Sequence, residues 1–118
     1  MTPSFGVVGL GRMAQAFLFP LLEAGLVQRE GVRAVVASEA SAACLAQAHG
    51  LAVATDATSA WSAPVVLLAV KPQQLEAVAP AAAGGSGGLL ISVLAGVTLT
   101  RLQRLFPGWQ CVRAVPNT

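Results

Sequence analysis

Phe5-Gly6-Val7-Val8-Gly9-Leu10-Gly11-Arg12-Met13-Ala14 is the stretch on which the reading of this chain turns. An apolar run of strand length meets a Gly9-x-Gly11-x-x-Ala14 turn and then an amphipathic segment. Strand, glycine turn and helix in that order form the context that a dinucleotide-binding fingerprint needs. Each small residue has its own task. Gly9 permits a tight turn off the strand. Gly11 has no Cβ to keep a pyrophosphate from the backbone, and Ala14 lets helix and strand pack closely. The first amides of the helix then face the phosphates. In a chain this rich in Ala and Gly the pattern alone is weak, because a ligand-free glycine turn has the same spacing.

Composition narrows the class. At 118 residues the chain holds one domain with a real core. It is 55% hydrophobic and only 10% charged, against about 25% charged in ordinary soluble domains. Two causes fit: a parallel sheet covered on both faces has no polar side, and an apolar face can await another domain or partner. We expect both. The longest apolar runs, residues 63–70 and 89–96, fall far short of the ~20 residues of a membrane helix. Met1-Thr2-Pro3-Ser4 lacks the basic region of a secretory leader. Cys44 and Cys111 stand apart, without metal-ligand spacing, and read as reduced core thiols of a cytoplasmic protein. The net charge of +2 is scattered and Tyr is absent, so nothing suggests nucleic-acid binding.

Outward from the glycine turn, the pattern alternates. Strands are expected at residues 4–8, 32–37, 51–54, 65–70, 89–93 and 110–114. The first helix starts near Arg12, with Pro20 predicting a kink near residues 16–19. Ser41 is expected to cap a helix over 42–49, with residues 38–41 as a loop. Asp56 or Thr58 caps a short helix through Trp61. Pro72 opens another over 73–79, and residues 80–88 read as a loose connection. Thr98 caps a helix carrying Leu99, Leu102, Leu105 and Phe106 on one stripe. This order predicts an α/β fold, Rossmann-like and doubly wound, with a mainly parallel sheet and helices on both faces. Ligands of such sheets lie beyond the carboxyl ends of the strands.

Residue usage marks that rim. The only lysine, Lys71, follows the most apolar strand, and the only asparagine, Asn117, lies in a loop at the same edge. A solvated strand end and a turn former after Pro116 explain these two equally well by position alone. The only histidine, His49, has no partners for a ligand role and reads as a surface or capping residue. Met13 and Phe17 read as core, Arg101 and Arg104 as solvated, and one of Trp61 and Trp109 as belonging to a surface that another domain covers.

Four runs in this order, Gly9–Ala14, Ala69-Val70-Lys71-Pro72-Gln73, Ser92-Val93-Leu94-Ala95-Gly96-Val97 and Pro116-Asn117-Thr118, are jointly specific. Together they resemble the amino-terminal domain of the pyrroline-5-carboxylate reductases, the family that closes proline biosynthesis. The resemblance covers essentially the whole chain. It implies NAD(P)H as hydride donor and a cyclic imine, 1-pyrroline-5-carboxylate, as acceptor. It implies that Val8, Gly9, Leu10, Gly11, Arg12 and Met13 follow the cofactor pyrophosphate and that Ser38, beside Glu39, faces the adenosine ribose. Ala69, Val70, Lys71 and Pro72, with Val93, Leu94 and Ala95, line the path toward the nicotinamide, and Asn117 stands at its end. The family continues into an all-helical domain that dimerises and supplies most substrate contacts, and no catalytic residue maps onto this chain. A protonated imine accepts hydride directly, so orientation is the main demand.

The cofactor type turns on the second strand's loop. An acidic residue there favours NAD, small polar and basic groups favour NADP. Ser38 and Arg12 point to NADP(H), whereas Glu39, if turned inward, points to NAD(H). Two other functional readings share the glycine fingerprint: a related imine or deazaflavin-linked NADP oxidoreductase, and a non-catalytic NAD(P)H-binding module.

Overall fold

The computed structural model describes residues 4–114. Six short strands are β1 (Phe5–Val8), β2 (Val32–Val35), β3 (Ala52–Ala54), β4 (Val65–Leu68), β5 (Leu89–Ser92) and β6 (Gln110–Arg113). Between them run α1 (Arg12–Glu23), α2 (Glu39–His49), α3 (Thr58–Trp61), α4 (Leu75–Ala82) and α5 (Leu99–Leu105). All pairings are parallel, in the order β3-β2-β1-β4-β5-β6. The expected Rossmann-like doubly wound sheet is therefore what the chain forms, and the order reverses between β1 and β4.

Strand alternation sorts the core into two layers. Phe5, Val7, Val32, Ala34 and Leu67 pack with Ala14 and Leu18 of α1. Val8, Val35, Val66, Leu68 and Leu90 pack with α3, α4 and α5 through Trp61, Leu75, Leu102 and Phe106. Covering both faces explains why so few charged residues are needed. Cover is incomplete, however: Val112 is exposed and Ile91 half-buried, neighbours in register on the α1 side of the sheet.

One backbone contact fixes α3. A Cβ on Gly6 would lie 2.1 Å from the Ala60 carbonyl oxygen, so only glycine lets α3 sit directly on β1. Behind it, Trp61 stacks on Phe106 at 5.6 Å and meets Trp109 edge-on at 5.4 Å. The Trp109 indole N–H donates to the Ala82 carbonyl at 3.1 Å. Both tryptophans are thus core residues, and neither waits for another domain.

Several local expectations are corrected. Helix α2 begins at Glu39, three residues before the predicted start, because Ser38 is the N-cap: its Oγ accepts the Ser41 amide at 3.1 Å. Helix α4 runs through Pro80 to Ala82. The bond lost at Pro80, a cost of about 3 kcal/mol, is offset by burial of Leu75 and Ala82 on one face. Pro20 lies inside α1, as expected. Met13 is exposed rather than core, and so is Cys44, whereas Cys111 is buried. Burial pushes the Cys111 thiol up from its usual range. His49 is half-buried, its ring tilted against Phe19 at 4.9 Å. Among the described residues no helix is long and apolar enough to cross a membrane.

Gly6→Ala is expected to cost about 1–3 kcal/mol of stability through overpacking, read as a lowered urea midpoint with unchanged slope. An unchanged midpoint would show that α3 is free to lift off β1.

Candidate functional site

The carboxyl edge of the sheet is locked by its own hydrogen bonds. The amides of Gly9, Val36, Ala69, Val93 and Ala114 donate to the carbonyls of Val35, Ala54, Val8, Leu68 and Ser92 at 2.8–3.2 Å. The ladder therefore extends one residue past each strand and levels the rim. It also consumes those donors. The Leu94 amide is taken by Ser92 Oγ at 3.2 Å, and the Lys71 amide by Gln74 Oε1 at 3.3 Å.

The start of α1, by contrast, is uncapped. Its N-cap is Gly11, with no side-chain cap and no acidic residue in the first turn. The loop before it is held by Gln15, whose amide donates to the Gly11 carbonyl at 3.0 Å and whose side chain donates to the Leu10 carbonyl at 3.1 Å. Free helix-start amides beside a cationic Arg12 suit an anionic group. The two glycines differ in cause. Gly9 has φ +90°, and a Cβ there would lie 2.8 Å from the Ala69 carbonyl oxygen, so the fold itself requires glycine. Gly11 has an ordinary extended backbone with φ −88°, and among the described residues, its two chain neighbours aside, no atom lies within 4 Å of where its Cβ would be. Nothing in the fold asks for glycine at 11. The open space over it is the approach a pyrophosphate needs.

Beside this turn, at the β1–β4 crevice, lies a cavity of about 440 Å³. Val8, Gly9 and Val35–Ala37 form one wall, and Ala69–Lys71 another. Ala77, Val78 and Ala81 of α4, with Ala57 and Trp61, complete it. Polar groups are sparse: Thr55, Gln74 and Lys71. A mostly apolar slot with few polar groups is how flat organic ligands are held. The buried Trp61 Nε1 has no hydrogen-bond partner, so this wall carries an uncompensated polar atom, a cost of about 1–3 kcal/mol.

At the outer corner, the Thr55 hydroxyl donates to Glu39 Oε1 at 2.7 Å. Next to it, Asp56 Oδ1 accepts the Thr58 amide at 3.0 Å and the Thr58 hydroxyl at 2.8 Å. These bonds, the amide first, hold the Asp56 carboxyl below its usual range. The N-cap of α3 is therefore Ala57, not the expected Asp56 or Thr58; Asp56 instead holds the first helical amide from one residue further back.

The sequence-predicted residues divide accordingly. Val8, Gly9, Ala69, Val70 and Lys71 meet at the cavity. Gly11, Arg12 and Met13 are exposed at the start of α1, Ser38 at the start of α2, and Pro72 and Ala95 on their loops. Leu10, Val93 and Leu94 are buried, and none of the three lines the cavity. Asn117 lies outside the described residues. Missed were Val35, Val36, Ala37, Thr55, Ala57, Trp61, Gln74, Ala77, Val78 and Ala81. A signal existed for α4: Ala77 and Ala81 at i, i+4 leave room on one face, but ending the helix at residue 79 hid it.

A six-stranded parallel sheet in this order, with a glycine turn at its switch point, defines a Rossmann-type domain of the dinucleotide-binding class. Residues 4–96 match the family described as NADP oxidoreductase, coenzyme F420-dependent, and the chain belongs to that family of oxidoreductases. Along its whole length it is 38% identical to a pyrroline-5-carboxylate reductase of Synechocystis, covering 45% of that protein. It is 36% identical to pyrroline-5-carboxylate reductase 3 of Bos taurus over 95% of the chain and 37% of the relative. The solved pyrroline-5-carboxylate reductase of Coxiella burnetii superposes with a TM-score of 0.81 at 27% identity, over 100% of this chain and 45% of that one. The chain thus spans somewhat under half the length of the relatives it matches.

The lowered Asp56 value fixes a sign. A depressed carboxyl contributes stability that is complete above the range where a free aspartate titrates and is lost as pH falls through the lowered value. Asp56→Ala is therefore expected to destabilise the chain at neutral pH and to lose that effect in strong acid. Thermal melts of both proteins across pH 2–7 test it; a pH-independent difference would deny the capping role.

Proposed function

We propose that this chain is the cofactor-holding domain of a pyrroline-5-carboxylate reductase. Such an enzyme transfers hydride from NAD(P)H to the cyclic imine of 1-pyrroline-5-carboxylate, giving L-proline. The observation that carries the reading is Gly11: its backbone needs no glycine, and the space where its Cβ would lie is open beside the uncapped start of α1. Similarity to pyrroline-5-carboxylate reductases over the full chain directs it to this reaction.

In this reading the amides of Arg12 and Met13 hold the pyrophosphate, helped by the absence of acid in the first turn. The adenine fills the cavity between Val35–Ala37 and α4, and Lys71 and Gln74 stand at its mouth. Ala95 and Asn117 stand along the path to the nicotinamide. When bound, the nicotinamide supplies the hydride. The residues of this chain fix its position and keep water from the adenosine end, and no acid or base is asked of them. The imine's carboxylate meets a helical domain outside these residues, through which whole enzymes of the family form homo-oligomers. The isolated chain then binds cofactor without turnover. NADP(H) is the preferred cofactor and NAD(H) the weaker one, on Ser38 and Arg12 near the ribose. The unpaired thiols of Cys44 and Cys111 suit a cytoplasmic setting. Deazaflavin-linked NADP reduction is the second reading, favoured by the family match over residues 4–96.

Trp61 on the cavity wall reports binding. NADPH is expected to quench tryptophan emission of the chain saturably. Gly11→Val should weaken that binding by about tenfold or more while the melting temperature stays unchanged. Equal binding by the variant would sink the reading, and so would proline formation by the isolated chain. Reduction of a deazaflavin by the whole enzyme, without proline formation, would install the second reading.

A further inference from the structure

The corner where the β2 and β3 loops leave the sheet has a hydrogen bond that cofactor binding as described does not use. Val35 pairs with Ala54, and the Val36 amide donates to the Ala54 carbonyl at 2.9 Å. The two loops therefore depart side by side. Glu39 opens α2 on one, and Thr55 begins the other. The Thr55 hydroxyl donates to Glu39 Oε1 at 2.7 Å. Thr55 lines the cavity, whereas Glu39 does not.

The strand order gives this bond a direction. β3 lies on the far side of β2 from β1 and its glycine turn. A carboxylate tied to the residue after β3 is drawn toward the sheet edge, away from the turn. An acidic residue after the second strand ordinarily accepts the ribose 2′-hydroxyl and repels a 2′-phosphate. Left free at the mouth of the corner, Glu39 would do both. Ser38 keeps its hydroxyl proton for a ligand, since its Oγ only accepts from the Ser41 amide.

We propose that Thr55 is a specificity-determining positioning residue: by holding the Glu39 carboxylate aside, it lets an acidic loop accept the 2′-phosphate of NADP(H). This rests on the reading of the chain as an NAD(P)H-binding domain. The bond contributes little to stability, because both partners are exposed. Its effect is on which cofactor the corner tolerates.

The test is a double-mutant cycle read as the ratio of NADPH to NADH affinity. Thr55→Val keeps the side-chain shape and removes the hydroxyl. It is expected to lower the ratio by about three- to tenfold, chiefly by weakening NADPH, and Thr55→Ser should restore it. In a Glu39→Ala background, Thr55→Val should leave the ratio unchanged. Circular dichroism and melting temperature confirm that each variant is folded. A ratio that does not move, that rises, or that falls equally without Glu39 overturns the proposal while leaving the binding domain intact. Failure of the unmutated chain to bind either cofactor overturns the underlying reading instead.

Discussion

The contact between Gly9 and the backbone of Ala69 is the constraint from which the rest follows. β1 is paired on both sides, with β2 and β4. Its last carbonyl, at Val8, accepts the Ala69 amide, and the Gly9 amide reaches over to Val35. The single peptide unit between Val8 and Gly9 therefore closes both seams, and Gly9 turns away from it at φ +90° with no room for a Cβ. A side chain there would push β4 away from β1, opening the crevice at which the strand order reverses. The level rim, the aimed start of α1 and the cavity beside it all presuppose that close approach. In such sheets the chirality of parallel crossovers sends α1 and α2 to one face and α3, α4 and α5 to the other.

The order of elements was legible because its signals are local and mutually consistent. Continuous apolar runs of strand length mark buried parallel strands, and each is followed by a turn with its own punctuation. Cap positions were less legible. Ser38 and Ser41 are both good caps, and the choice depends on where β2 ends, which is set by its pairing with β3. Pro80 was misleading for a related reason. A proline's local cost is visible in sequence, whereas the packing of Leu75 and Ala82 that offsets it is tertiary. Burial was least legible for single large or sulfur-bearing residues. Trp61, Trp109 and Cys44 carry no periodic context, so their sides of the fold emerge only when α3, α5 and α2 are placed.

The site was readable by half for the same reason. Residues that must be small for backbone geometry advertise themselves: Gly9, Gly11 and Ala14 form a spaced pattern. Residues that merely line a wall do not. Ala77, Val78 and Ala81 are ordinary helix residues until α4 is set across the β1–β4 crevice. Thr55 is one of many threonines until β3 is known to lie outside β2. After β5, Val93 and Leu94 are drawn into the core and the Leu94 amide is taken by Ser92 Oγ, which no local pattern announces.

The distribution of spent and unspent donors bears on what kind of chemistry the edge performs. A rim whose amides are consumed by its own ladder is stiff, and it offers few groups to a reacting centre. The start of α1 adds amides with no side-chain cap, with the arginine of that turn and no acid beside it. Among the described residues no three His, Cys, Asp or Glu side chains converge. Such an edge suits an anionic, largely flat molecule. That description fits a mobile carrier of reducing equivalents, whose reactive ring must meet a substrate held by other parts of an enzyme.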